Sequence, residues 1–200
     1  MVTGSILNLA TILLVPISTL AVKRGYQLSN REALFYTFFT LAAAVLGCKV
    51  GIKQINRFGA RKIAIASYWL AILTALFWIF APDHHYWFLT FFPFLLGGLI
   101  SPLQSNAMTN YFVYTVPKEQ QVVSAMFIAI ATGFFSGLAG MGIGALIFGI
   151  TGYLTRNAGN PMTEFHLYYL IVLILLLPMS LLVYFLPNIP QSNLTSSARD

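Results

Sequence analysis

The sequence predicts an all-α integral membrane fold, a bundle of six transmembrane helices, and three observations carry that prediction. Hydrophobic residues make up 58% of the 200 positions and charged ones only 8%, where soluble domains keep about a quarter of their residues charged. The apolar residues gather in six runs, each long enough to cross about 30 Å of hydrocarbon, which takes roughly 20 helical residues. The cations sit toward the ends of those runs. A net charge of +6 would point to nucleic acid in a soluble chain, but cations placed this way orient helices in a bilayer, and no nucleic-acid partner is expected. The single cysteine, Cys48, excludes an internal disulfide framework and a multi-cysteine metal site. No cofactor or metal is expected.

The spans fall at about 5–22, 32–51, 62–81, 87–114, 121–150 and 165–187. They form one unit over residues 1–190, and residues 191–200 read as a polar tail. The first run has no cation before Lys23, so it lacks the charged leader of a signal peptide and reads as a spanning helix. At 100° per residue, Gly4, Ser5, Asn8, Thr11, Ser18 and Thr19 fall within about 140° of one another, opposite Leu7, Leu9, Leu13, Ile17 and Leu20. One face meets something polar, either neighbouring helices or a wet path. Pro16 frees a backbone carbonyl inside this span and permits a bend. The second span ends in Ala42, Ala43, Ala44 and Gly47, small residues that let another backbone approach. Lys49, near its end, can carry its ammonium to the headgroups.

Between the second and third spans stands GIKQINRFGARK, residues 51–62, with four of the eleven Lys and Arg in twelve positions. A cluster of that kind marks the cytosolic face. Gly51, Asn56, Arg57, Gly59, Arg61 and Lys62 resemble the cytosolic loop signature of the major facilitator superfamily (MFS) of transporters, with Asn56 where the family usually has aspartate. Counting cations in alternate connections gives Lys49, Lys53, Arg57, Arg61, Lys62, Lys118 and Arg199 on one side against Lys23, Arg24, Arg31 and Arg156 on the other. The first group is therefore expected in the cytosol, with both termini. On that side Asn193-Leu194-Thr195 is a polar tail, not a glycosylation site.

The third span carries Tyr68, Trp69, Phe77 and Trp78 toward its ends as interfacial anchors. Pro82-Asp83-His84-His85 follows as a tight turn; adjacent histidines cannot face one ion from one helical face, which argues against metal. In the fourth span Ser101, Ser105, Asn106, Thr109 and Asn110 cover one half of a helix, with Gly98 and Pro102 on the same half and Gln104 at the margin. Amides in hydrocarbon need protein or water partners, so these residues either line a cavity or bond neighbouring helices. In the fifth span Gly133, Gly137, Gly140 and Gly144 project within about 60° of one another, a groove for another helix. The sixth span is apolar on every face and reads as lipid-facing, with His166 at its edge.

The spans thus sort as polar, small and apolar, twice over. That order is what two inverted three-helix repeats would give, and it agrees with the six-helix half of the family resembled. There, the resemblance implies, the first and fourth helices line a central cavity, the second and fifth meet the other half, and the third and sixth stand outside. Asn56, the lack of Lys or Arg between Lys62 and Lys118, and the short stretch after Pro187 point to the C-terminal half, helices 7 to 12.

The implied activity is secondary active transport of a small solute by alternating access in the inner (plasma) membrane. Asn8, Thr11, Gln104, Ser105, Asn106, Thr109 and Asn110 are the cavity candidates, and Arg57, Arg61 and Lys62 the gating cations. The missing partner would be an N-terminal half or a second copy. A non-transporting half or scaffold is the alternative. No enzyme is expected: Ser136-Gly137 and His166 superficially resemble an intramembrane serine and histidine pair, but Phe134 stands where the glycine of G-x-S-G belongs.

Overall fold

The computed structural model describes residues 2–186, and the expectations for the tail at 191–200 and for the end of the sixth span at Pro187 lie outside the described residues. Six segments are long and apolar enough to cross a membrane, which makes this by length and composition a multi-pass membrane protein. Helix α1 (Val2–Leu20) runs on through a π-helical turn, Ala21–Gly25, and α2 (Asn30–Phe58), α3 (Ala60–Ile79) and α4 (Trp87–Thr115) follow. After a 3₁₀ turn at Lys118–Gln120, the fifth span is two helices, α5 (Gln121–Ala131) and α6 (Gly137–Leu154), joined by a π-helical turn at Thr132–Ser136. Helix α7 (Met162–Tyr184) is the sixth span.

The helix boundaries have local causes. Ser29 and Glu32 form a capping box: the Ser29 amide donates to Glu32 Oε2 at 2.9 Å and Ser29 Oγ accepts from the Glu32 amide at 3.4 Å, so α2 starts two residues before the expected 32. The loop expected over residues 51–62 is corrected. Helix α2 continues to Phe58, and the only break before α3 is Gly59, at φ 87° and ψ 154°, a conformation costly for any residue with a Cβ.

Helix α1 is central, touching α3, α4, α6 and α7, while α2 lies along α4 and α3 along both α4 and α7. The α2–α4 pair runs parallel and is closed by small residues. A Cβ on Gly98 would run into the Thr40 carbonyl, one on Gly47 would lie 2.7 Å from Pro102 Cγ, and one on Gly51 2.8 Å from Asn106 Nδ2. The mutual order of these contacts, 98 with 40, 102 with 47 and 106 with 51, sets the register. Helix α5, by contrast, packs mainly on the turns that flank it, and none of its described residues is buried.

The core lies where α1, α3 and α7 meet. Trp78 stacks on Tyr169, ring centroids 5.6 Å apart and planes 9° from parallel. Ser18 Oγ accepts from Trp78 Nε1 at 2.9 Å, lies 3.0 Å from the Tyr169 hydroxyl, and donates to the Leu14 carbonyl at 2.9 Å. Tyr168 donates to the Leu13 carbonyl at 2.9 Å and Tyr68 to the Leu176 carbonyl at 2.7 Å. Pro16 has no N–H for the Ile12 carbonyl, and tyrosine hydroxyls from α7 bond the neighbouring carbonyls of this weakened stretch. Helix α7 is therefore not lipid-facing all round, as its uniform composition suggested: Phe165, Tyr168, Tyr169, Val172 and Leu176 are buried.

Candidate functional site

The polar faces of the first and fourth spans meet at an open-sided cavity of about 960 Å³ lined by α1, α4 and the fifth span. Its polar lining is Asn8 from α1, Ser101, Gln104, Ser105, Thr109, Tyr111 and Thr115 from α4, and Ser124 and Thr132 from the fifth span. Leu7, Met108, Phe112 and Ile128 provide much of the apolar remainder, and no Lys, Arg, His, Asp or Glu lines it. The helical period explains the α4 contribution, since residues 101, 105 and 109 recur every four positions on one side of the helix. All three are exposed toward this space, and no hydrogen bond ties their hydroxyls to the protein among the described residues.

One hydrogen bond ties the two polar helices together. Thr11 Oγ1 donates to Gln104 Oε1 at 2.8 Å, shorter than the 3.4 Å to its own helix at the Leu7 carbonyl. Gln104 is only 5% exposed, and its Nε2 is buried with no partner among the described residues. Asn8 Nδ2 reaches the Thr132 carbonyl at 3.5 Å, bridging α1 to the π-helical turn. A π-helical turn inserts extra backbone into the ladder and is often found at functional positions.

The remaining candidates divide. Asn106 faces α2, where its Nδ2 donates to the Cys48 carbonyl at 3.2 Å, and it does not line the cavity. Asn110 does not line it either, and Thr11 stands behind Gln104. Gly140 and Gly144 lie against α1, a Cβ at Gly140 falling 2.8 Å from Ile12 Cγ2 and one at Gly144 3.5 Å from Leu13 Cδ2. A Cβ at Gly133 or Gly137 would meet nothing within 4 Å beyond its own helix among the described residues, so these two glycines form no packed groove there. Sequence reasoning missed the fifth span as a cavity wall; the available signal was Ser124, Ile128 and Thr132, every fourth residue. The side chain of Ser136 lies outside the described set, and among the described residues no three His, Cys, Asp or Glu gather as metal ligands.

At the signature end Arg61 Nη2 donates to the Tyr184 carbonyl at 2.6 Å, placing a cation on the exposed C-terminus of α7. Trp69 Nε1 fixes the same residue by donating to the Tyr184 hydroxyl at 2.9 Å. The Arg57 guanidinium lies 5.1 Å from the centre of the Phe58 ring, and Asn56 and Lys62 are exposed. At the opposite end the turn after α3 docks onto the start of α2. His85 Nε2 and the Tyr36 hydroxyl are 2.8 Å apart, and Tyr26 donates to the Pro82 carbonyl at 3.0 Å. Burial holds the His85 imidazole below its ordinary value, with the Glu32 carboxylate pulling the other way. Burial, with Asp83 and Tyr36 adding to it, pushes the Tyr26 hydroxyl up to about 12.

No protein-family model, no curated protein and no solved structure matches this chain.

Proposed function

We propose that the chain is a six-helix half of a major facilitator superfamily permease, moving a small solute across the inner membrane by alternating access. The observation that carries this reading is the polar cavity between α1, α4 and the fifth span, lined by amides and hydroxyls in a chain that is 58% hydrophobic. The helix contacts support two inverted repeats. Exchanging the first three spans for the last three turns the α2–α4 pair into α1–α6, α3–α4 into α1–α7 and α2–α3 into α6–α7, and leaves α1–α4 and α3–α7 in place. The α2–α4 and α3–α4 contacts are several times more extensive than their counterparts α1–α6 and α1–α7, and the α1–α2 and α1–α3 contacts have no comparable counterpart among the described residues.

In this reading Asn8, Gln104, Ser105 and Thr109 face the solute, Thr11 holds Gln104, and Asn106 locks α2 to α4. The signature cations belong to the cytosolic side. Arg61 on the α7 C-terminus is a contact that one state makes and the other releases. A second six-helix bundle, the other half or another copy of this chain, closes the open wall. The scaffold reading draws on the same open wall, because hydroxyls at 101, 105 and 109 leave the cavity one-sided.

Vesicles carrying the protein should show saturable uptake of at least one solute from a labelled panel of hexoses, nucleosides, amino acids and organic acids. Replacing Ser105 and Thr109 together by Leu should lower that uptake about tenfold or more at an unchanged membrane level, the loss expected for one or two solute hydrogen bonds. Uptake no greater than in empty vesicles would leave the scaffold reading in its place.

A further inference from the structure

Resting on the permease reading, we infer that the cavity takes an uncharged, hydroxyl-rich solute of the polyol, sugar or nucleoside kind. Four observations converge on this class. First, no side chain with a formal charge lines the cavity. A carboxylate, phosphate or ammonium entering it would lose its hydration and find no counter-charge on this wall, which a low-dielectric site penalises steeply.

Second, the lining adds two neutral amides. Gln104 and Asn8 each carry donors and an acceptor, and Thr11 on α1 holds the Gln104 amide at 2.8 Å. Such groups bond solute hydroxyls in either direction and supply no counter-charge.

Third, Ser101, Ser105 and Thr109 present a ladder of hydroxyls one helical turn apart, each able to donate and accept. Such a ladder complements a solute whose own hydroxyls do both, and it gives no advantage to one that only accepts. Fourth, Leu7, Met108, Phe112 and Ile128 lie in the same cavity and supply a surface for the C–H face of a ring. A volume of about 960 Å³ leaves room for a hexose or nucleoside with water beside it, within the usual range of roughly 300–1,000 Å³ for small-molecule sites.

The test uses the full chain in lipid nanodiscs and matched probes: glucose, mannitol and uridine against glucose 6-phosphate, gluconate, glucosamine and uridine monophosphate. Thermal stabilisation is read for each probe, and vesicle uptake is read in parallel. The inference expects stabilisation by one or more neutral members, at least about tenfold tighter than by its charged counterpart, a difference of about 1.4 kcal/mol. Gln104→Leu should weaken that binding about tenfold.

Stabilisation confined to charged probes overturns the inference while leaving a carrier in place. So does stabilisation by none of the seven. Neutral binding without any uptake keeps the assigned site and removes the carrier. The neutral-against-charged comparison is made on the unmodified protein, so a variant that fails to fold does not decide the outcome.

Discussion

The two sides of α1 use the same kinds of residue to opposite ends. Toward α3 and α7, Ser18 is 3% exposed and its hydroxyl accepts from Trp78 and bonds Leu14, with Tyr169 beside it. Toward α4 and α5, Thr11 reaches across to Gln104 at the cavity, and the Thr109 hydroxyl opposite has no hydrogen bond among the described residues. A small polar group in a membrane helix therefore says little by itself. Satisfied, it is part of the framework; unsatisfied beside open space, it is available to something that comes and goes.

The largest effect that would break this contrast is Trp78→Ala. Removing the indole takes away the stack on Tyr169 and the donor to Ser18 together. A loss of about 3–5 kcal/mol is expected for an aromatic deleted from a packed core, read as resistance to unfolding in denaturing detergent. A change below about 1 kcal/mol would mean that the α1–α3–α7 contact is not the framework described.

A middle-sized effect sharpens the contrast. Ser18→Ala leaves the Trp78 N–H without its acceptor and should cost about 1–3 kcal/mol, whereas Thr109→Ala should stay within about 0.5 kcal/mol and act on solute uptake alone. Equal stability losses at both positions would erase the distinction between the two sides.

The smallest effect concerns the turn at His85. Its folded value lies below 6.5, so the fold favours the neutral ring: the contribution to stability is complete above about pH 6.5 and is lost as pH falls below it. The imidazole should titrate by NMR with a midpoint below 6.5, and Glu32→Gln should lower that midpoint further by removing the charge that pulls it upward. A midpoint that rises in the variant would contradict the assigned geometry.

The spans were legible because hydrocarbon leaves so little choice: about 20 apolar residues with cations outside them specify a crossing whatever the neighbours do. Caps were legible too, in principle, since Ser29 and Glu32 have the three-residue spacing of a capping box. The cavity was half legible. Sequence periodicity put Asn106 and Thr109 on one half of α4, but the half consists of two stripes, residues 98, 102 and 106 against α2 and residues 101, 105 and 109 against the cavity. Which stripe meets a helix depends on α2 and α5, far away in sequence. The glycine groove failed for a different reason. Aligning Gly133 with Gly140 and Gly144 assumes 100° per residue throughout, and the π-helical turn at Thr132–Ser136 shifts the phase between them; Gly137 keeps the phase of the other two within α6 but lies where no described side chain comes within 4 Å. Nothing in the residue types there announces the extra backbone.

The one-residue joint at Gly59 has a mechanical consequence. Helix α3 has 20 residues and so projects about 30 Å from its pivot. A 10° change in the dihedrals at that single position would sweep its far end through about 5 Å, but that end carries Trp78, stacked on Tyr169 of α7. With Arg61 bonded to the other end of α7, α3 and α7 are clasped at both ends, so a rotation at Gly59 carries the two helices together relative to α2.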